Sequence, residues 1–283
     1  MNWTTVVSAR ELAGALERSD LRLLDARAVL SEPAAGIRGY AEAHLPGAQF
    51  ADLNQDLSDL NRAGCGRHPL PEAEVFARKL GAWGIAPQHQ VVVYDAGDGS
   101  MAAARAWWLL KLLGHARVAV LDGGLAAWRA AGLPETAETP VPEDMGAYPG
   151  SFEASRIVGT DEVQARLTES PGWLFDARAP ERYSGENEHI DPVAGHVPGA
   201  INLPYARNLR DGRLLPVEEL RASLSAALAG GDPDRAVLMC GSGVTACHLL
   251  LAFEHAGLSG PRVYAGSWSE WIGDPQRPVA RGN

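Results

Sequence analysis

Cys240 has more chemistry open to it than any other residue of the chain. It closes the apolar, strand-type run Ala236-Val237-Leu238-Met239 and opens the tight loop Gly241-Ser242-Gly243, after which helical spacing begins at Val244. A strand–loop–helix unit of this kind sets a side chain at the carboxyl end of a buried strand, below a helix N-terminus. Gly241 and Gly243 allow the backbone to curl until successive N–H groups converge on one point. If that point is the Cys240 sulfur, the donors and the helix dipole hold negative charge there, as a nucleophilic cysteine in an anion cradle requires. The competing reading is a small buried hydrophobe at a strand end. The rest of the chain decides between them.

The elements that must position this loop follow a repeating order. In the first half, Ser8 with Glu11 three residues on makes a capping-box start for a short helix. A strand ending in Leu23-Leu24-Asp25-Ala26-Arg27 follows, then His44-Leu45-Pro46-Gly47-Ala48 and a polar loop over 52–71. The pattern predicts a helix over 72–81, the strand Val91-Val92-Val93-Tyr94-Asp95, a helix over 101–113, and the strand Val118-Ala119-Val120-Leu121 before a short helix with Trp128. The second half repeats the series: Asp25 recurs as Asp176 (offset 151), His44 as His196 (152), Asp95 as Cys240 (145) and Trp128 as Trp271 (143). Four markers in one order indicate a duplicated domain. Residues 135–151 carry Pro140, Pro142 and Pro149 with little periodicity, which suits a linker. The expected organisation is an N-terminal domain over 1–137, a linker over 138–153 and a C-terminal domain over 154–283. Each domain is α/β, a parallel sheet with helices on both faces.

The duplication is an internal control, because what both halves share reads as scaffold and what one half alone has reads as chemistry. His44 and His196 share a His-x-Pro-Gly-Ala turn and are expected to be structural, as are Asp25 and Asp176 with the arginines after them, although Asp176 is also a candidate neighbour of the site. Cys240 instead faces Asp95, which cannot serve as a soft sulfur nucleophile and would repel an anionic donor. Arg182, six residues after Asp176, faces Ser31. A guanidinium fork suits an anion, and a loop after a strand's carboxyl end is expected to carry Arg182 to the cysteine. One half is therefore read as catalytic and the other as inactive.

Bulk properties bound the partners. The 283 residues, 46% of them hydrophobic, suffice for two cored domains, and the formal charge of −10 argues against nucleic-acid or anionic-membrane surfaces. One local basic pocket would still admit an anionic substrate. Three cysteines in no pairing pattern, a start without signal-peptide character and no membrane-length apolar run predict a soluble, cytoplasmic protein with reduced thiols. Two equal domains already share an interface, so a monomer is expected.

On these residues the chain resembles the tandem-domain rhodanese-type sulfurtransferases. The carriers are the paired Asp-Ala-Arg and His-(Leu/Val)-Pro-Gly-Ala motifs, Glu181-Arg182-Tyr183-Ser184-Gly185, the loop Cys240-Gly241-Ser242-Gly243-Val244-Thr245-Ala246, and Gly266-Ser267-Trp268-Ser269-Glu270-Trp271. The resemblance implies sulfur transfer through a Cys240 persulfide, from a small anionic donor (3-mercaptopyruvate or thiosulfate) to a thiophilic acceptor such as cyanide, a thiol or a thiol-bearing protein. Backbone N–H groups of Gly241, Ser242, Gly243, Val244 and Thr245 would hold the sulfur's charge, and Arg182 the donor. No metal or organic cofactor is implied. The neutral Cys-Gly-Ser-Gly loop is similar to that of the mercaptopyruvate branch, which also makes His68 a candidate. That branch has a second arginine before His-x-Pro-Gly, whereas residues 186–191 here contain none, and its N-terminal-domain aspartate is replaced by Asn54 beside Asp52. The sequence thus favours 3-mercaptopyruvate and leaves thiosulfate open.

Three rivals are weaker. A cysteine phosphatase needs an arginine where the chain has Ala246. A non-catalytic binding module has no need to retain Cys240, both loop glycines and Arg182. A redox pair is expected to fail because Cys247 lies two turns along the same helix as Cys240. Cys65 near His68 lacks metal-ligand spacing. Trp107 and Trp108 are expected in the core, and His248 and His255 at the surface.

Overall fold

A computed structural model describes residues 2–282. The chain divides into two compact units: Met1–Asp59, Leu70–Glu153 and Asp211–Arg213 form the first, and Leu60–Pro69, Ala154–Arg210 and Leu214–Asn283 the second. The segment Leu60–Pro69, which falls inside the expected N-terminal domain, thus packs with the second unit.

The first unit runs β1 (Val6–Val7), α1 (Ala9–Ala13), β2 (Leu21–Asp25), α2 (Ala35–Glu42), β3 (Ala48–Phe50), α3 (Ala73–Ala82), β4 (Gln90–Tyr94), α4 (Ala102–Leu112), β5 (Val118–Leu121) and α5 (Gly124–Ala130). Its five strands lie in the order β1-β5-β4-β2-β3, all parallel. Strands covered on both faces should read as continuous apolar runs, and Val91, Val92, Val93 and Tyr94 of central β4 are fully buried. Helix α1 carries the capping box: Ser8 Oγ accepts from Glu11 N–H at 3.3 Å, and the Glu11 carboxylate accepts from Ser8 N–H at 3.1 Å. Helix α4 is apolar on nearly every face, and Trp107 and Trp108 are fully buried in it as expected. Glu72, expected inside α3, is its N-cap.

The second unit contains β6 (Ile157–Val158), α6 (Thr160–Ala165), β7 (Leu174–Asp176), α7 (Pro180–Ser184), β8 (Ile201–Asn202), α8 (Val217–Leu228), α9 (Thr245–His255) and α10 (Ser267–Trp271). Between them come the short strands β9 (Leu209–Arg210) and β10 (Arg213–Leu214), which pair with each other, and the central strands β11 (Val237–Met239) and β12 (Arg262–Tyr264). The parallel order β6-β12-β11-β7-β8 is that of the first unit strand for strand. Helix α8 buries Leu220, Leu224 and Leu228, one stripe at a spacing of four, each contributing about 1.5–3 kcal/mol of apolar burial.

Register identifies equivalent positions. Asp25 pairs with Tyr94 in the first sheet, and Asp176 with Met239 in the second. The next residues, Asp95 and Cys240, therefore occupy the same place at the carboxyl end of the central strand.

The shared motifs do the same work in both units. Asp25 and Asp176 are fully buried and accept from the guanidinium groups of Arg27 and Arg178, at 2.5 and 2.6 Å in the closest contacts. His44 stacks on Tyr40 at 3.9 Å and His196 on Tyr183 at 3.8 Å, each Nδ1 meeting that tyrosine's carbonyl. These histidines hold turns together.

Three expectations need correction. Arg182 lies in α7 rather than in a loop. Cys240 and Cys247 do not share a helix, because the loop keeps Cys240 five residues ahead of α9 while Cys247 sits in its first turn, its Sγ donating to the Gly243 carbonyl at 3.1 Å. His248 is fully buried, edge-on to Tyr205 at 5.6 Å between ring centroids. It faces inward because α9 packs almost all round, and a single polar residue gave no sign of which face was covered.

Candidate active site

Cys240 follows β11 directly and is 2% exposed. Of the loop residues expected to donate to its sulfur, Gly243 does so, its N–H lying 3.2 Å from Sγ. Gly243 has φ +77°, and a Cβ there would stand 2.0 Å from the Ala265 carbonyl oxygen. The curl that aims this N–H at the sulfur thus requires glycine on two counts, handedness and space. Val244 is buried at the N-cap position of α9, and Thr245 opens that helix.

The N-terminal turn of α10 clamps the other side of the loop. Trp268 N–H donates to the Cys240 carbonyl at 3.0 Å and Ser269 N–H to the Gly241 carbonyl at 2.9 Å. Cys240 N–H donates to Ser267 Oγ at 3.1 Å, and the Ser267 hydroxyl donates to the Tyr264 carbonyl at 2.8 Å. Ser267 is fully buried and left-handed, with φ 52°. Glycine holds the equivalent place in the first unit, Gly124 with φ 53°. A serine kept in a conformation that costs a side chain about 1–2 kcal/mol needs a local reason, and the hydrogen bond its Oγ accepts from the Cys240 N–H supplies one.

The first unit shows the same cradle filled differently. Asp95 Oδ1 accepts from Gly97 N–H at 3.1 Å and Gly99 N–H at 3.0 Å, and its Oδ2 from Met101 N–H at 3.3 Å. Burial pushes its carboxyl up to about 6 even though those three N–H groups favour the anion. A carboxylate here occupies its own anion site.

Arg182 and a second arginine, Arg67, meet beside the cysteine loop. A Cβ built on Gly241 would lie 3.1 Å from Arg67 Nη2 and 3.5 Å from both terminal nitrogens of Arg182. Arg182 is held by two buried carboxylates, Nε to Glu188 at 3.1 Å and Nη2 to Asp191 at 2.8 Å. Asp191 also accepts from Arg67 Nη1, so one carboxylate bridges the two guanidinium groups. Burial opposes the charge on Glu188, but hydrogen bonds from Arg182 and from the N–H groups of Asp191 and Ile190 outweigh it and bring its carboxyl below the usual glutamate range. Arg178, under the same network, lies over Trp268 with its guanidinium carbon 4.7 Å from a ring centroid.

His68 meets the loop as well: its Nδ1 lies 2.8 Å from Ser242 Oγ, with both residues buried. Asp176 stands one strand over from Met239 with both oxygens engaged by Arg178. Asn54 belongs to the first unit, where its N–H donates to Asp52 at 2.8 Å. Cys65 is part of the segment with Arg67, its thiol facing the Ala63 carbonyl at 3.8 Å. Among the described residues no group of three or more His, Cys, Asp and Glu side chains could hold a metal ion, and no helix is long and apolar enough to cross a membrane.

Sequence reasoning missed Arg67, Asp191, Glu188 and Ser267. The first three could have been suspected from Arg67 adjoining His68 and from the carboxylates Glu188 and Asp191 six and nine residues after Arg182. Ser267 facing Gly124 was visible in the internal comparison.

Comparison with known proteins agrees with this geometry. The rhodanese-like domain matches twice, over residues 8–131 and 159–274. The chain is 50% identical to a probable 3-mercaptopyruvate sulfurtransferase of Pseudomonas aeruginosa, over 100% of both chains. It is 40% identical to a putative thiosulfate sulfurtransferase of Mycobacterium tuberculosis, over 98% of this chain and 97% of the relative. Among solved structures it resembles a 3-mercaptopyruvate sulfurtransferase from Leishmania major, with a TM-score of 0.86 and 32% identity over 97% of this chain and 75% of that one. Two matched domains and full-length relatives at this identity leave one assignment: the chain belongs to the rhodanese family of sulfurtransferases.

Proposed function

We propose that Cys240 is the sulfur-carrying nucleophile and that 3-mercaptopyruvate is the preferred donor. The supporting observation is the Gly243 N–H on Cys240 Sγ beneath a loop that two arginines overhang. The Cys240 thiolate attacks the donor's sulfur, forming an S–S bond as the donor's C–S bond breaks. The electron pair of that bond leaves on carbon as the pyruvate enolate, which takes one proton, and Cys240 keeps the persulfide. A thiophilic acceptor, cyanide or a thiol, then attacks the outer sulfur and restores the thiolate. Arg182 holds the donor's carboxylate, and the loop N–H groups, Gly243 first among them, hold charge on the sulfur through both steps.

The Ser242–His68 pair favours the mercaptopyruvate reading. A hydroxyl backed by an imidazole can supply the proton that the enolate takes, a need that thiosulfate, with sulfite as leaving group, does not have. Asp176 orients Arg178 under the site. Residues 154–283 together with the segment Leu60–Pro69 form the catalytic unit, and the rest of residues 1–137 an inactive one with Asp95 at the cysteine position, with 138–153 leading from one to the other. The protein works as a monomer, and a cytoplasmic setting suits its three free cysteines.

The test is sulfur transfer to cyanide from each donor in parallel, with mass spectrometry of Cys240 after donor alone. The expected result is one added sulfur on Cys240, none on a Cys240→Ser protein, and kcat/KM at least tenfold higher for 3-mercaptopyruvate, about 1.4 kcal/mol of preference. Added sulfur that survives the serine substitution refutes Cys240, and a thiosulfate preference refutes the donor.

A further inference from the structure

The expected second arginine is absent before His-x-Pro-Gly, yet a second guanidinium does stand at the cysteine loop. It comes from Arg67, in the segment Leu60–Pro69 that clusters with the catalytic unit. Two contacts seat this segment: Arg67 N–H donates to Ser269 Oγ at 2.9 Å, and His68 reaches Ser242. Ser269 in turn binds Gly241, so the backbone bearing Arg67 and the loop bearing Cys240 share an anchor in α10.

The two arginines are not equally free to bind a ligand. Arg182 gives Nε and Nη2 to Glu188 and Asp191, and its side chain is 13% exposed. Arg67 gives Nη1 to Asp191 and keeps 31% of its side chain exposed. Its Nη2 is the guanidinium nitrogen nearest the space above Gly241, and its Nε is buried with no hydrogen-bond partner among the described residues. A buried charged N–H without a partner is costly.

We propose that Arg67 is the second guanidinium of the donor site, gripping the donor's carboxylate opposite Arg182, with Asp191 between them setting the spacing of the clamp. The inference rests on the sulfurtransferase reading for the identity of the donor. Arg67 then replaces in space the arginine that is missing in sequence, and Gly241 lacks a side chain because the donor lies where its Cβ would be. Two forks converging on one carboxylate discriminate by geometry as well as by charge, which lysine cannot reproduce.

The test separates binding from turnover. In a Cys240→Ser protein, which cannot accept sulfur, 3-mercaptopyruvate is titrated calorimetrically with and without Arg67→Ala. Loss of a charge-assisted pair should weaken binding about 10- to 100-fold, with Arg67→Lys between the two and millimolar guanidinium ion restoring part of the loss in Arg67→Ala. In the active protein the same change should raise the donor KM, with a fall in melting temperature smaller than that of Arg182→Ala because Asp191 keeps its bond from Arg182. Equal affinity in the Arg67→Ala protein overturns the inference, as does a loss that guanidinium does not relieve and that comes with a melting temperature as low as that of Arg182→Ala. An absence of binding by the Cys240→Ser protein itself also overturns it. If Arg67→Ala weakens binding but the wild type transfers no sulfur, the clamp stands and the sulfurtransferase mechanism falls.

Discussion

Replacing Gly243 by alanine tests the link between backbone geometry and chemistry most directly. The substitution places a methyl group on a residue at φ +77°, and that methyl would sit 2.0 Å from the Ala265 carbonyl oxygen. Left-handed backbone alone costs a side chain about 1–2 kcal/mol. The collision cannot be relieved by a side-chain rotation, since the obstacle is backbone. The loop or the β12–α10 connection must shift by an ångström or so, with the Gly243 N–H leaving Sγ. A total near 3 kcal/mol follows, enough to lower the melting temperature by about 6–12 °C in a domain of this size. Gly199→Ala is the control. Gly199 has φ +80° and open space where its Cβ would be, so it should show the backbone penalty alone and keep its sulfur chemistry. Calorimetric melting and the rate of Cys240 persulfide formation are measured on both. If Gly243→Ala melts with Gly199→Ala and takes up sulfur at the wild-type rate, the left-handed glycine does not place the donor on the sulfur, and the reasoning about the loop fails.

Three other outcomes are expected. Arg182→Ala removes the partner of two buried carboxylates, so it should lower stability by about 3–5 kcal/mol as well as raise donor KM; unchanged melting would show that Glu188 and Asp191 do not need it. Ser267→Gly relieves a strained backbone while Ser267→Ala keeps the strain, and both deprive Cys240 N–H of its acceptor. Both should slow persulfide formation, with alanine the less stable of the two by about 1 kcal/mol, and the reverse order in urea melts would contradict the strain argument. Asp95 has its folded carboxyl raised from 3.8 to about 6, so its contribution is present below pH 3.8 and lost as pH rises through about 6. Asp95→Asn should therefore gain stability relative to wild type as pH rises from about 4 to about 6, as read from denaturant midpoints, and a gain that does not grow across that window would refute it.

Much of this molecule is written locally. The apolar runs ending at Asp25, Asp95, Asp176 and Cys240 are strands because two-sided burial demands uninterrupted apolar side chains, and the repeat of those runs carries the common sheet order of both units. The cysteine loop was legible because its glycines are needed by the loop's own backbone path. The stacked Tyr–His pairs and Asp–Arg pairs were legible as scaffold because two copies of them exist. What only the folded chain decided is which distant charges meet. Arg67 lies 115 positions from Arg182, yet Asp191 bridges the two, and nothing in local spacing marks a surface loop as the one that will fold over the cysteine. His248 was misplaced for a related reason, since a helix packed on every face leaves no periodic signal to say where a polar residue points. Backbone preference and hydrophobic period act within a few residues of each other, whereas the pairing of charges depends on chain paths that converge only when both the segment Leu60–Pro69 and the loop after β11 have packed against α10.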